Sequence, residues 1–270
     1  MKKSLFPHLA LMAVLMVFVS ACSKKSEYTN VIPANATVVA SINMKSLADK
    51  AGLNDKENKE AKQKLIDALK DGMNAATFQQ VEMILKDSQK SGIDISAPIY
   101  IFNSESFPYS CAVAKVINED DLHTALETLE KEKICQPINS GDGYQFTQMG
   151  NQVFIAYTPS TLMLINYKGA TQLEKIKQGL PALKQTNENS IVSTSAFKKM
   201  QKANGDIDIL FTPGSLMGAY SNQFNFGMPQ TFDMKSCQVL ANISFEKGKI
   251  SMKYNFVTES PELQAMLDKQ

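Results

Sequence analysis

The chain has 270 residues, 44% hydrophobic and 20% charged, with a formal net charge of +1. That balance fits an ordinary globular protein, large enough to bury a core without metal or disulfide, and excludes the basic footprint of a nucleic-acid binder. The sequence contains no Arg and no Trp, so it lacks the forked cation that phosphate-handling sites favour.

Lys2 and Lys3 open the chain, and residues 9–19 form an unbroken apolar run. Eleven helical residues span about 16 Å, short of the roughly 30 Å hydrocarbon core, so the run reads as the apolar part of a signal peptide. Val19-Ser20-Ala21-Cys22 follows and resembles the lipobox of bacterial lipoproteins. The resemblance implies cleavage between Ala21 and Cys22 and lipid on the Cys22 sulfur, with several acyl chains making the anchor durable. Loss of the leader leaves 26 basic against 27 acidic residues. The polar stretch after Cys22 reads as a tether. No aspartate stands at position 23, and no acidic run follows, which implies an outer-membrane address facing the periplasm, with exposure at the cell surface as the alternative.

Further on, residues 37–43 read as a strand, and 44–47 open a short helix that Gly52 closes. Asn54 or Asp55 caps a helix carrying Ala61, Leu65, Ala68 and Leu69 at helical spacing. Another helix is expected over 75–90, with Phe78, Val81, Ile84 and Leu85 inward and Gly92 as its stop. Pro98 precedes a short buried strand over 99–102, and 109–117 reads as its neighbour. Asn118 caps the clearest helix: Glu119, Asp120 and Asp121 favour its positive end, and Leu122, Ala125, Leu126 and Leu129 form one stripe with His123 beside it. A meander follows over 144–149, 152–157 and 162–167.

The last strong signal is a hairpin over 237–258, turning at Lys247-Gly248. A two-residue loop pairs Phe245 with Ile250, Ile243 with Met252, Ala241 with Tyr254 and Val239 with Phe256, which predicts one buried apolar face. Residues 37–47 and 206–216 share a strand-then-Ser-Leu plan, which suggests an internal repeat. The expected fold is α+β: antiparallel sheets, a meander and a C-terminal hairpin, packed with helices. The expected organisation is a signal peptide over 1–21, a lipidated tether over 22–30, an N-terminal α+β lobe over 31–185 and a similar C-terminal lobe over 186–270. One continuous domain is the alternative.

Residues 28–43, followed by Lys45-Ser46-Leu47, resemble the opening of a family of Bacteroidetes envelope lipoproteins catalogued only as a domain of unknown function. Gly92-Ile93-Asp94-Ile95, residues 98–102 and the strand over 207–211 fit the same pattern. The resemblance covers nearly all of the mature chain and brings no catalytic residues with it.

Candidate chemistry is sparse. Ser195-Ala196-Phe197-Lys198 has S-x-x-K spacing but lacks the downstream elements of penicillin-binding enzymes, so it reads as a helix start with Phe197 and Met200 inward. Gly214-Ser215-Leu216-Met217-Gly218 follows a strand, but its spacing is wrong for a nucleophile elbow and no histidine comes after it. Cys111, His123 and Cys135 are too widely spaced for a zinc knuckle, while Cys111 and Cys135 form a candidate disulfide. Cys237 reads as a buried thiol. Asp206 and Asp208 read as strand entry. The segment 217–234, with Phe224, Phe226, Met228 and Phe232, is the candidate binding surface. The expectation is a membrane-anchored, non-enzymatic envelope lipoprotein. It has no cofactor or metal and no nucleic-acid partner, and it binds a protein or ligand through its domain surface. An envelope hydrolase or a carrier of an apolar ligand are the alternatives.

Overall fold

The computed structural model describes residues 28–52, 75–180, 187–214 and 237–258, with positions 60, 63, 67, 70, 260, 264 and 265. The described strands are β1 Ala36–Ile42, β2 Ile99–Ser104, β3 Cys111–Lys115, β4 Asn139–Ser140, β5 Gln145–Met149, β6 Val153–Tyr157, β7 Thr161–Asn166, β8 Ile207–Phe211, β9 Cys237–Glu246 and β10 Lys249–Thr258. The described helices are α1 Met44–Lys50, α2 Ala75–Lys86, α3 Glu119–Lys131, α4 Gly169–Gly179 and α5 Ser195–Gln201. The ten described strands make one sheet in the order β10-β9-β8-β1-β2-β3-β7-β6-β5-β4. Every pairing in it is antiparallel. This is the α+β class that the alternation of hydrophobic runs predicts.

Because successive side chains leave a strand on opposite faces, cross-strand partners line up in rows. One row runs Phe154, Ile165, Cys111, Phe102, Val39, Leu210 and Leu240 across seven strands, and no member is more than 5% exposed. Ile32, Ile176, Ile191, Phe197 and Met200 belong to the same cluster, from just after the turn at Tyr28–Val31, from α4, from the turn at Ile191–Ser193 and from α5. On the opposite face, Leu122 and Leu126 of α3 cover Ala114, Val116, Ile155, Tyr157 and Leu162.

Local signals account for the helix ends. The Asn118 side chain accepts from the Asp120 and Asp121 N–H groups, with three acids in the first turn. Thr194 does the same for α5 through the Phe197 N–H at 3.2 Å, and Phe197 and Met200 are buried as expected. The helix expected over 75–90 is broken: α2 ends at Lys86, and Asp87 caps a separate 3-10 turn, Ser88–Ser91. Asp87 competes for the backbone by accepting from the Gln89 N–H, which favours a new cap over continued helix. Gly92 closes that turn at φ 75°, and a Cβ there would collide with the Asn118 carbonyl and the Leu122 N–H.

Several expectations are corrected. The hairpin register is as predicted at every pair, with Gly248 at φ 73° in its turn. Its burial instead runs along the strands. Cys237, Val239, Leu240, Val257 and Thr258 are buried at the base, whereas Ile250, Met252 and Tyr254 of the supposed inner face are 69%, 66% and 59% exposed. The base packs on the core while the turn end of β10, an edge strand, projects past it. Tyr28, Thr29 and Asn30, assigned to the tether, are buried, because the Tyr28 ring packs on Tyr100 and its hydroxyl donates to the Pro98 carbonyl at 2.8 Å. The stretches assigned to two lobes share the one sheet, since β1 lies between β2 and β8. β1 and β8, the strands of the suspected repeat, are direct antiparallel neighbours.

Cys111 and Cys135 do not pair. They belong to the clusters on opposite faces of the sheet, and both are free and buried. The leader, Ala21, Cys22, the helix expected around Ala61 to Leu69, Ser215 and the segment bearing Phe224, Phe226, Met228 and Phe232 lie outside the described residues.

Burial pushes the Cys111 thiol up to about 12 and raises Cys237. Cys135 is raised by burial and then by the charge of Glu130. A thiol reagent added to the native protein should therefore label none of Cys111, Cys135 and Cys237 on the timescale of a stopped assay, and all three on unfolding without reductant. Recovery of a single thiol from the three would mean a disulfide.

Candidate functional site

Two residues along from the core row lies a second row on the same face: Ala156, Met163, Val113, Tyr100, Ser41, Asp208 and Asn242. Its character changes in mid-sheet, apolar from β6 to β2 and polar from β1 to β9. Ala156, Met163, Tyr100, Ser41 and Asp208 form the floor of a cleft of about 1310 Å³. Tyr28–Val31, which packs over β3 and β7, and Met200, Gln201 and Ala203 at the end of α5 line the same cleft. Pro98, Tyr144 and Leu180 add apolar wall. Small-molecule sites are typically about 300–1,000 Å³, mostly apolar with a few placed polar groups, and this cleft matches that description with room to spare.

The polar end is anchored by two aspartates on β8 and just before it. Asp208 is buried, accepts from the Asn242 side-chain amide at 2.7 Å, and burial raises its pKa against the lowering effect of the Asn242 and Gly205 hydrogen bonds. Asp206 is also buried, but burial is outweighed: Lys50 Nζ donates to both its oxygens at 2.8 and 2.7 Å, the Ser46 hydroxyl at 2.5 Å and the Phe245 N–H at 2.6 Å. Its pKa is therefore lowered. Asp206 thus clasps α1, β8 and β9 together, and Asp208 faces the cleft.

On the other side of the opening, Lys115 lines the cleft and is engaged by Asp94 at 2.9 Å. Asp94 also accepts from the Ser96 hydroxyl and backbone N–H, and these bonds hold its carboxyl down at about 2. On the roof, Thr29 Oγ1 and Asn30 Oδ1 are the buried side-chain atoms among the described residues that have no hydrogen-bond partner. Such orphans are costly, about 1–3 kcal/mol each, and mark a place to look for function.

His123 lies outside this cleft. Its Nδ1 lies 2.7 Å from the Tyr157 hydroxyl, which in turn donates to Gln145 Oε1 at 3.0 Å. Burial, then Glu119 and Glu127, push Tyr157 up to about 12. Among the described residues no group of three or more His, Cys, Asp or Glu side chains could hold a metal. The sequence reading singled out Asp208 only as strand entry and missed Ser41, Thr29 and Asn30. The row sets Ser41 beside Asp208, more than 150 positions away in the sequence, which leaves no local signal.

A family model described as a domain of unknown function, DUF4836, matches residues 28–270. The chain belongs to the DUF4836 family. No curated protein matches it in sequence. Among solved structures it is similar to crystal form IV of TP0453, with a TM-score of 0.46 and 8% identity, covering 88% of this chain and 83% of that one. It is likewise similar to crystal form I of TP0453, with a TM-score of 0.45 and 8% identity, covering 91% and 86%.

The Asp94 carboxylate stabilises the folded DUF4836 domain fully above its ordinary pKa of 3.8, and this contribution is lost as pH falls towards about 2. Asp94→Asn should lower unfolding stability by about 1–2 kcal/mol at pH 7 in urea titrations, and by much less at pH 2. An equal deficit at both pH values would contradict the assignment.

Proposed function

We propose that this protein is a lipid-anchored cell-envelope binding protein, held at the outer membrane through Cys22 and facing the periplasm, whose domain holds a ligand in the cleft. The observation that carries the binding part is the cleft floor, apolar at one end and polar at the other, under a roof with unpartnered buried polar atoms. The anchoring part is supported by Lys2 and Lys3, the apolar run over 9–19 and the Val19-Ser20-Ala21-Cys22 lipobox.

The hydrolase alternative calls for paired carboxylates of divergent acidity in one cleft. Asp206 and Asp208 do diverge, but Asp206 is occupied by Lys50, Ser46 and Phe245 and does not line the cleft. Among the described residues the cleft is lined by one carboxyl and not by such a pair, which favours the binding reading.

The full-length protein, extracted from membranes and studied by native mass spectrometry, should carry a non-covalent small molecule. Ala97→Trp, which fills the cleft from a half-buried wall position, should lose it at unchanged fold. Identical spectra without adduct for both proteins would sink the binding reading. For the anchor, Cys22→Ala should abolish fatty-acid labelling and release the domain from membranes. Retained labelling would contradict it.

A further inference from the structure

If the cleft is a ligand site, its floor specifies more than an apolar guest. Cross-strand pairing sets Tyr100 beside Ser41 and Ser41 beside Asp208, so the change from apolar to polar occurs within two strand spacings, about 10 Å. A ligand lying along the row therefore meets hydrocarbon-compatible surface at Ala156, Met163 and Tyr100 and hydrogen-bonding groups at Ser41 and Asp208. All five side chains belong to residues no more than 8% exposed. The charges at the opening also discriminate. Among the described residues, Lys115 is the cation that lines the cleft and is taken up by Asp94, while the buried Asp208 carboxyl has neutral donors as its hydrogen-bond partners, Asn242 and Gly205. A buried carboxyl without a cationic partner favours a ligand that brings a donor and opposes one that brings a negative charge.

We propose that the cleft takes a single-chain amphiphile whose head donates hydrogen bonds and is not anionic, with its hydrocarbon over Tyr100, Met163 and Ala156 and its head at Ser41 and Asp208. This rests on the binding reading above and adds the ligand's class and direction. A hydroxyl head and an ammonium head share the required chemistry. Both can donate to the Asp208 carboxyl and exchange hydrogen bonds with the Ser41 hydroxyl, and the ammonium adds charge attraction. A carboxylate head would place like charge against Asp208, and a quaternary ammonium has no N–H to give.

The test uses one tail with four heads. Binding of monodecanoylglycerol, decylammonium, decyltrimethylammonium and decanoate to the delipidated full chain is measured by calorimetry below their micellar concentrations. The two donor heads should bind at least about tenfold more tightly than the other two, the size expected for a charge-assisted hydrogen bond. Asp208→Asn should weaken decylammonium by about tenfold or more while narrowing the gap to decanoate, with the variant's folding verified by thermal melting. The comparison among heads on the unmodified chain stands even if that variant fails to fold. Equal binding of all four would overturn the head assignment and leave ligand binding by the apolar wall intact. Tightest binding of decanoate would overturn the direction of the charge argument. Binding of none would exclude single-chain amphiphiles, and the native mass spectrum of the membrane-extracted protein would then decide the binding reading separately.

Discussion

Everything described in this domain depends on the row of seven buried side chains from Phe154 to Leu240 crossing the sheet. Its members come from strands that begin near residue 36 and end near residue 246, so no stretch of the chain supplies the row alone. Truncating one large member, such as Phe102, would remove contacts to both neighbouring strands and to the helices above, a loss of about 3–5 kcal/mol for a buried Phe→Ala. A marginally stable domain has only about 5–15 kcal/mol in hand. The row is thus what makes one sheet of two segments that the sequence allows to be read as separate lobes.

The cleft is a consequence of the same geometry. With a side-chain period of two, the row beside the core must share its face, and its residues need only be partly covered by helices. Where the roof at Tyr28–Val31 and the end of α5 stand off the sheet, Ala156, Met163, Tyr100, Ser41 and Asp208 line the space that remains. The aromatic chain of Tyr28 on Tyr100 on Phe197, with ring centroids 5.9 and 5.4 Å apart, fixes the height of that roof. Asp206, with its clasp on Lys50, Ser46 and the Phe245 N–H, fixes the polar end by holding β8 to β9 and α1.

Much of this architecture was legible in the sequence wherever the deciding interaction is local. The turn at Lys247-Gly248 sets every pair of the last hairpin, Asn118 with three following acids sets the start of α3, and Thr194 sets α5. What failed was each inference that needed to know what lies opposite. The apolar side of Ile250, Met252 and Tyr254 looks like a core face by alternation, yet among the described strands the turn end of this edge strand has no neighbour beyond β9. Cys111 and Cys135 stand at a separation that allows a bridge, but one residue's parity on β3 puts Cys111 on the far face from Cys135. The site itself was invisible for the same reason, since Ser41, Tyr100 and Asp208 become neighbours only through register between distant strands.

The central claim, one cooperative sheet held by a continuous row, is tested most directly by native-state hydrogen exchange read strand by strand. The account predicts that the amides of β1, β2, β3, β7 and β8 exchange together, through global unfolding at one common free energy with one common denaturant dependence. Exchange of β8 and β9 in a separate, lower-energy step from β2, β3 and β7 would show two independently folding units and contradict it.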